Sequence, residues 1–285
     1  MKIGIEDVAY LSTDESEFKK LAQHGYEAID YGGLAKPSCP LYRLTDEELA
    51  DYLRSLRAKY EAVGVTVGQM HALWPTDDTS EEKRSKMREY YVREIKAAAV
   101  LGCPYLVIHP CMPDGWHNEV DAERSFLLNV ELFRYLLPYA KQYGVVLCVE
   151  NMPFKKQAIS SPLGIKRLVR EIDDPYLKVC LDTGHANVFS NDIGADIRLF
   201  GDDLAVLHVH DNNGREDRHQ PPYMGTIDWD AFTDALAEIG FSGIMSLETV
   251  IPTKMPEPMR EQMRVSLAAL ARHLSDQVEA RRAGR

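Results

Sequence analysis

The sequence predicts a closed (β/α)8 barrel. Three observations point there: a helix–glycine–strand unit that recurs along the chain, eight short apolar runs separated by helical segments, and a length of 285 residues, near the roughly 250 typical of that architecture.

The recurring unit appears at His24-Gly25-Tyr26, Val63-Gly64-Val65, Leu101-Gly102-Cys103, Tyr143-Gly144-Val145 and Ile239-Gly240-Phe241, and its first four glycines are 39, 38 and 42 residues apart. A glycine just past a helix end supplies the left-handed residue that a Cβ resists. The apolar runs that follow are too short for helices and too uniformly apolar for half-exposed strands, so they suit parallel strands covered on both faces. Strands are expected at 2–6, 28–31, 65–71, 105–109, 145–150, 177–182, 204–210 and 244–248. The repeat is imperfect before the sixth, where Asp173-Asp174-Pro175 replaces the glycine.

The intervening segments read as helices. Thr45 and Glu48 form a capping box before 46–63, where Leu49, Tyr52, Leu53, Leu56 and Tyr60 fall on one face. Ser80 and Lys83 open a second helix to about 100, and others are expected over 121–143 and 257–278, with 279–285 as a fraying end. Strands alternating with helices imply parallel α/β structure. No linker divides the chain, so one domain over 1–285 is expected.

A net charge of −11 argues against a general nucleic-acid binder, which presents excess basic charge. The start MKIGIEDVAYL lacks the pattern of a secretory leader and no run is long and apolar enough to span a membrane, so a cytoplasmic protein is expected. The five cysteines are widely spaced and contain no CxxC, which predicts reduced structural thiols.

Residues with ligand chemistry fall at the strand ends. His71, His109 and Glu150 end the third, fourth and fifth strands. Asp182 ends the sixth, with His185 just beyond; His208 and His210 end the seventh, with Asp217 and His219 in its loop; Glu248 ends the eighth. In a (β/α)8 barrel those ends meet on the face where active sites are built. Several buried carboxylates together need a compensating cation. Neutral imidazoles among them suit borderline divalent metals: Mn²⁺, Fe²⁺, Co²⁺, Ni²⁺ or Zn²⁺.

Through the segments VVLCVEN (145–151), VCLDTGHAN (179–187), HVHDNNGREDRHQPP (208–222), GTIDWD (225–230) and IMSLET (244–249), nearly the whole chain resembles the xylose-isomerase-like TIM-barrel superfamily. That superfamily holds sugar and sugar-phosphate isomerases and epimerases and the endonuclease IV type of DNA repair enzyme. The resemblance implies one metal held by Glu150, Asp182, His210 and Glu248, with His210 preferred over His208. It implies substrate contact by His185, and Arg215 lies near the place of a substrate-binding arginine, in a loop of different length. The endonuclease-like positions imply further metals, one at His71 and His109 bridged by Glu150 and another at His185, Asp217 and His219. The alternative is that these groups bond sugar hydroxyls around a single ion.

The expected chemistry is isomerisation or epimerisation of a sugar or sugar phosphate. Glu150 and Glu248 act as the acid–base pair across a metal-stabilised enediolate. Trp74 and Trp116 lie beyond the third and fourth strands, where aromatic faces either pack on sugar or cover the barrel rim; Phe154 is a further candidate. Rival readings are a lyase or dehydratase of a keto-sugar, keto-inositol or keto-glycoside, an endonuclease IV-like phosphodiesterase, and a non-catalytic binding subunit. The superfamily's members imply a homo-oligomer.

Overall fold

The structure is a computed structural model, and it describes residues 1–10, 15–36, 38–74, 79–116 and 119–285. Its elements alternate as expected: β1 (Ile3–Glu6), α1 (Glu15–Gln23), β2 (Ala28–Tyr31), α2 (Asp46–Ala62), β3 (Thr66–His71), α3 (Glu81–Leu101), β4 (Tyr105–Ile108), α4 (Ala122–Tyr143) and β5 (Val146–Glu150). There follow α5 (Pro162–Ile172), β6 (Leu177–Asp182), α6 (Thr183–Phe189), α7 (Ile193–Phe200), β7 (Leu204–His208), α8 (Trp229–Glu238), β8 (Met245–Leu247) and α9 (Glu257–Ala283).

The strands pair in parallel in the order β7-β6-β5-β4-β3-β2-β1-β8. A parallel bridge between Val209 and Leu247 then joins the two ends. The Val209 N–H donates to Ser246 O (2.8 Å), and the Glu248 N–H to Val209 O (3.1 Å). The sheet therefore closes only at its upper rim, beside the residues of interest, and the fold is a TIM barrel.

Local chemistry sets the element ends. The Thr45 and Glu48 capping box forms in full at the start of α2, and Ser80 caps α3 through the Lys83 N–H. Gly102 ends α3 at φ 76°, where its N–H bonds back to the last turn. Before β6, Asp173 takes the same left-handed conformation at φ 48°. Asp is one of the few residues with a Cβ that tolerate it, so the helix–turn–strand unit survives without its glycine.

A continuous apolar core runs from Ile3 to Val278 between strands and helices. Val107, Cys148, Cys180 and Val206 form a smaller cluster of their own. All five cysteines are free thiols and four are buried. The last helix does not fray at 279: α9 continues to Ala283, because Glu279 pairs with the N-terminal ammonium (3.0 Å), Arg281 with Asp230 (2.5 Å) and Arg285 with Asp234 (2.8 Å). Among the described residues no helix is long and apolar enough to cross a membrane.

Candidate metal centre and active site

The barrel's upper mouth collects the side chains that the strand ends predicted. Glu150 is 1% exposed at the end of β5. Its Oε1 lies 3.2 Å from His208 Nδ1 and 3.5 Å from His185 Nδ1. Its Oε2 lies 3.2 Å from His109 Nε2 and 3.4 Å from His71 Nε2. Glu248, just past β8, brings Oε2 to within 3.2 Å of the same His208 Nδ1. Asp182 caps α6 through the His185 N–H (2.6 Å). Asn151 holds Asp182 by a pair of side-chain to backbone hydrogen bonds, at 2.9 and 3.0 Å.

His208 and His210 approach the carboxylates from different sides. His208 stands with Glu150, Asp182 and Glu248, all four offering a ligand atom within 4.8 Å of one another, and His210 belongs to a neighbouring group that meets Asp182. The reason is where β7 leaves the sheet. His208 is its last residue and pairs in register with Asp182, so its ring enters the barrel. His210 comes after the closing bridge at Val209, and the next residue, Asp211, already pairs antiparallel with Gln220. His210 Nε2 reaches Asp182 Oδ2 (2.9 Å) from the loop side, and its ring stacks on His219 at 4.1 Å. Gly184 makes room for it, since a Cβ there would lie 2.0 Å from His210 Cε1.

Two further groups flank this quartet. His71 Nε2 and His109 Nε2 face one another at 3.1 Å beside Glu150, and the three can share one cation. On the opposite flank His185, His210, Asp217 and His219 form another possible donor set, with Asp217 Oδ2 at 3.3 Å from His185 Nε2 and 3.2 Å from His219 Nε2. Arg215 is not drawn in; its side chain is exposed, and its N–H is held by Asn213 Oδ1. Trp74, Trp116 and Phe154 come from three successive loops and stack in near-parallel steps of 5.9 and 5.7 Å, both at 10°. Trp74 also meets His109 edge-on at 5.8 Å, and the two tryptophans remain 38% and 37% exposed. The rings thus form an aromatic wall leading out from the His109 corner.

Three acidic residues escaped the strand-end reading because it began at β3. Glu6 ends β1, Asp7 follows it, and Asp30 lies near the end of β2; the same rule applied to all eight strands finds them. Asp30 Oδ2 contacts His208 Nε2 (2.9 Å) and accepts from Gln69 Nε2 (2.8 Å) of β3. Burial pushes the Glu6 carboxyl up to about 8, helped by the charges of Glu248 and Asp30. Burial pushes Asp7 up to about 7.

The electrostatics mark a site built around positive charge. Burial disfavours ionised Glu150, but the charges of His208 and His109 outweigh it and hold its pKa well below the carboxylate range. Glu248 is likewise held low against burial, chiefly by His208. Burial opposes protonation of His71, His185 and His219, yet their carboxylate neighbours push them up to about 9, 10 and 11. Only His109 is lowered, because there burial outweighs Glu150. Glu150 Oε2 and Glu248 Oε2 are nevertheless buried without a hydrogen bond. Unbonded carboxylate oxygens beside ring nitrogens are the donor set that a borderline divalent cation fits.

Comparison with known proteins agrees with this architecture. An uncharacterized protein of Methanocaldococcus jannaschii is 28% identical over 256 residues, covering 87% of this chain and 83% of that one. A D-psicose 3-epimerase of Ruminiclostridium cellulolyticum is 24% identical over 88% of this chain and 84% of its own. The crystal structure of the IOLI protein with a binding zinc atom superposes with a TM-score of 0.76 at 19% identity, over 98% of this chain and 99% of that one. The family described as xylose isomerase-like TIM barrel matches residues 18–272, and the chain belongs to that family.

Proposed function

We propose that the protein is a divalent-metal-dependent epimerase or isomerase of a sugar or sugar phosphate, with Glu150 and Glu248 as its acid–base pair. The observation that carries this reading is the convergence of these two carboxylates on one point. They come from β5 and β8, each lies 3.2 Å from His208 Nδ1, and each keeps a buried oxygen without a hydrogen bond. Psicose epimerisation by a relative covering most of the chain supports the substrate class.

A divalent cation held by Glu150, Asp182, Glu248 and one ring of the His208/His210 pair supplies Lewis-acid polarisation of a substrate carbonyl. The chain's own groups do the rest. One glutamate takes the proton from the carbon next to that carbonyl, and the other returns a proton on the opposite face, which inverts the centre. His185 is fixed by its Nδ1 on Asn151 O (2.9 Å) and its Nε2 near Asp217, and it orients substrate oxygens. The aromatic wall of Trp74, Trp116 and Phe154 packs against the sugar's apolar face. The His71/His109/Glu150 and His185/His210/Asp217/His219 groups provide places for further cations, and a metal count on the purified protein decides their occupancy.

Incubation with ketoses in D₂O tests the reaction class. Solvent deuterium at the carbon beside the carbonyl, together with an epimerised or isomerised product, is expected. Elimination products would instead favour a lyase acting through the same proton abstraction, and no exchange on a panel of sugars would overturn the reading.

A further inference from the structure

The inward face of the barrel can be followed strand by strand, because side chains alternate between the two faces of a strand. Ile3 and Ile5 of β1, Ile29 and Tyr31 of β2, and Met245 and Leu247 of β8 belong to the core between strands and helices. Gly4, Ala28 and Ser246 therefore face inward, and they pair in register. Two residues further along, Glu6 pairs with Asp30, whose Oδ2 reaches His208 inside the barrel. Glu248, two residues past Ser246, meets the same His208 ring. Glu6, Asp30 and Glu248 thus form an arc at the mouth, on the adjacent strands β1, β2 and β8, with neighbouring strands about 4.8 Å apart.

Two members of the arc are engaged by the protein. Asp30 Oδ2 meets His208 and Gln69, while its Oδ1 is buried without a hydrogen bond. Glu248 Oε2 faces His208 Nδ1. Glu6 differs. Among the described residues its carboxyl makes no hydrogen bond or ion pair, and it is only partly buried. Gly32 leaves the space beside it clear, since a Cβ there would stand 3.2 Å from Glu6 Oε1. Arg215, the basic residue that the loop after β7 offers, stays exposed.

A phosphate only accepts hydrogen bonds, so it needs N–H donors or cations around it. The arc presents carboxyl oxygens instead. A sugar hydroxyl both donates and accepts, so it fits the Glu6 carboxyl whether or not that group carries a proton. We propose that Glu6 binds a hydroxyl of the substrate one strand away from Glu248, and thereby restricts the site to uncharged polyhydroxy ketones and excludes their phosphate esters. The inference rests on the reading of Glu150 and Glu248 as the acid–base pair of a sugar epimerase or isomerase. The hydroxylated chain of the substrate runs along the arc, and the aromatic wall faces it from the loops after β3, β4 and β5.

Steady-state kinetics on metal-loaded protein test it. The probes are D-fructose, D-tagatose, D-psicose and their 6-phosphates, with solvent-deuterium exchange as the common readout. The wild type should act on a free ketose with kcat/KM about tenfold or more above that for its 6-phosphate, which would leave the Glu6 carboxyl facing an acceptor. Glu6→Leu should raise KM for the free ketose roughly tenfold, as expected for loss of one hydrogen bond, and change kcat less. Glu6→Gln still donates and accepts, so its KM should stay close to the wild-type value. A residue that merely supported the fold would move kcat and the denaturation midpoint instead. The comparison of free sugars with esters uses the unaltered protein and decides the matter even if Glu6→Leu fails to fold. Equal or better turnover of a 6-phosphate, or a folded Glu6→Leu with wild-type KM on the free ketose, overturns the inference and leaves the epimerase reading standing. No exchange on any of these compounds overturns that reading and this inference with it.

Discussion

At the scale of single residues, the site is defined by what its charged groups lack. Glu150 is surrounded by four imidazoles and still keeps an oxygen without a hydrogen bond. Replacing either Glu150 or Glu248 by Gln keeps the shape and removes the base. Each variant should lose at least 10²- to 10⁴-fold in kcat with an unchanged circular dichroism spectrum, and substantial activity in both would remove the acid–base assignment. Most of this site was legible in the sequence, because His71, His109, Glu150, Asp182 and Glu248 all fall at the ends of apolar runs. That His208 and His210 reach the carboxylates from different sides was not legible, since it depends on the residue at which β7 leaves the sheet. Asp30 was missed although its position, near the end of an apolar run, carried the same signal. Gln69 carried none, because a single amide inside a strand acquires meaning only from what lies across the barrel.

At the scale of elements, two helices hold loops of the site in place. Glu94 of α3 is fully buried and accepts from the Leu73 N–H (2.9 Å), between His71 and Trp74. The Tyr42 hydroxyl bridges Glu94 to Leu34 O. Burial pushes the Glu94 carboxyl up to about 8. The folded state therefore keeps a proton that the unfolded chain loses near the ordinary 4.5, so this contribution to stability is complete below that pH and is lost as pH rises toward 8. Glu94→Gln, which cannot ionise, should flatten the fall in denaturation midpoint between about pH 5 and 8; an unaltered pH profile would contradict it. In α6, Gly184 lies against the His210 ring. Gly184→Ala should cost about 1–3 kcal/mol through overpacking and lower activity by displacing His210; a variant with wild-type stability and turnover would show that the ring moves aside freely. The helix–glycine–strand repeat made the order of elements readable in advance. The closure at Val209 and Leu247 was not, because one bridge beyond the strand ends leaves no periodic trace.

At the scale of the whole molecule, a barrel with net charge −11 gathers imidazoles and carboxylates at one mouth and lets them neutralise each other. The raised values of His71, His185 and His219, about 9, 10 and 11, have a sign that can be checked. Without metal, their contribution to stability is complete below about pH 6.5 and is lost as pH rises through those values. A cation needs neutral imidazoles and must displace protons. Calorimetry at pH 7 in buffers of different ionisation enthalpy should therefore show net proton release on binding divalent metal, with affinity rising toward pH 9. Removing the metal with a chelator should also lower the melting temperature by several degrees, since a ligand at a hundred times its Kd stabilises by about 2.7 kcal/mol. Equal melting temperatures with and without metal would contradict a cation bound at the core of the barrel mouth.

The most direct measurement is a crystal structure of protein loaded with Mn²⁺ or Co²⁺ and a ketose, with anomalous diffraction locating the metal. The account predicts a peak bounded by Glu150, Asp182, Glu248 and one ring of the His208/His210 pair, with the sugar's carbonyl end placed between the two glutamates. A fully loaded protein with no peak at that point, or a sugar bound away from Glu150 and Glu248, would contradict it.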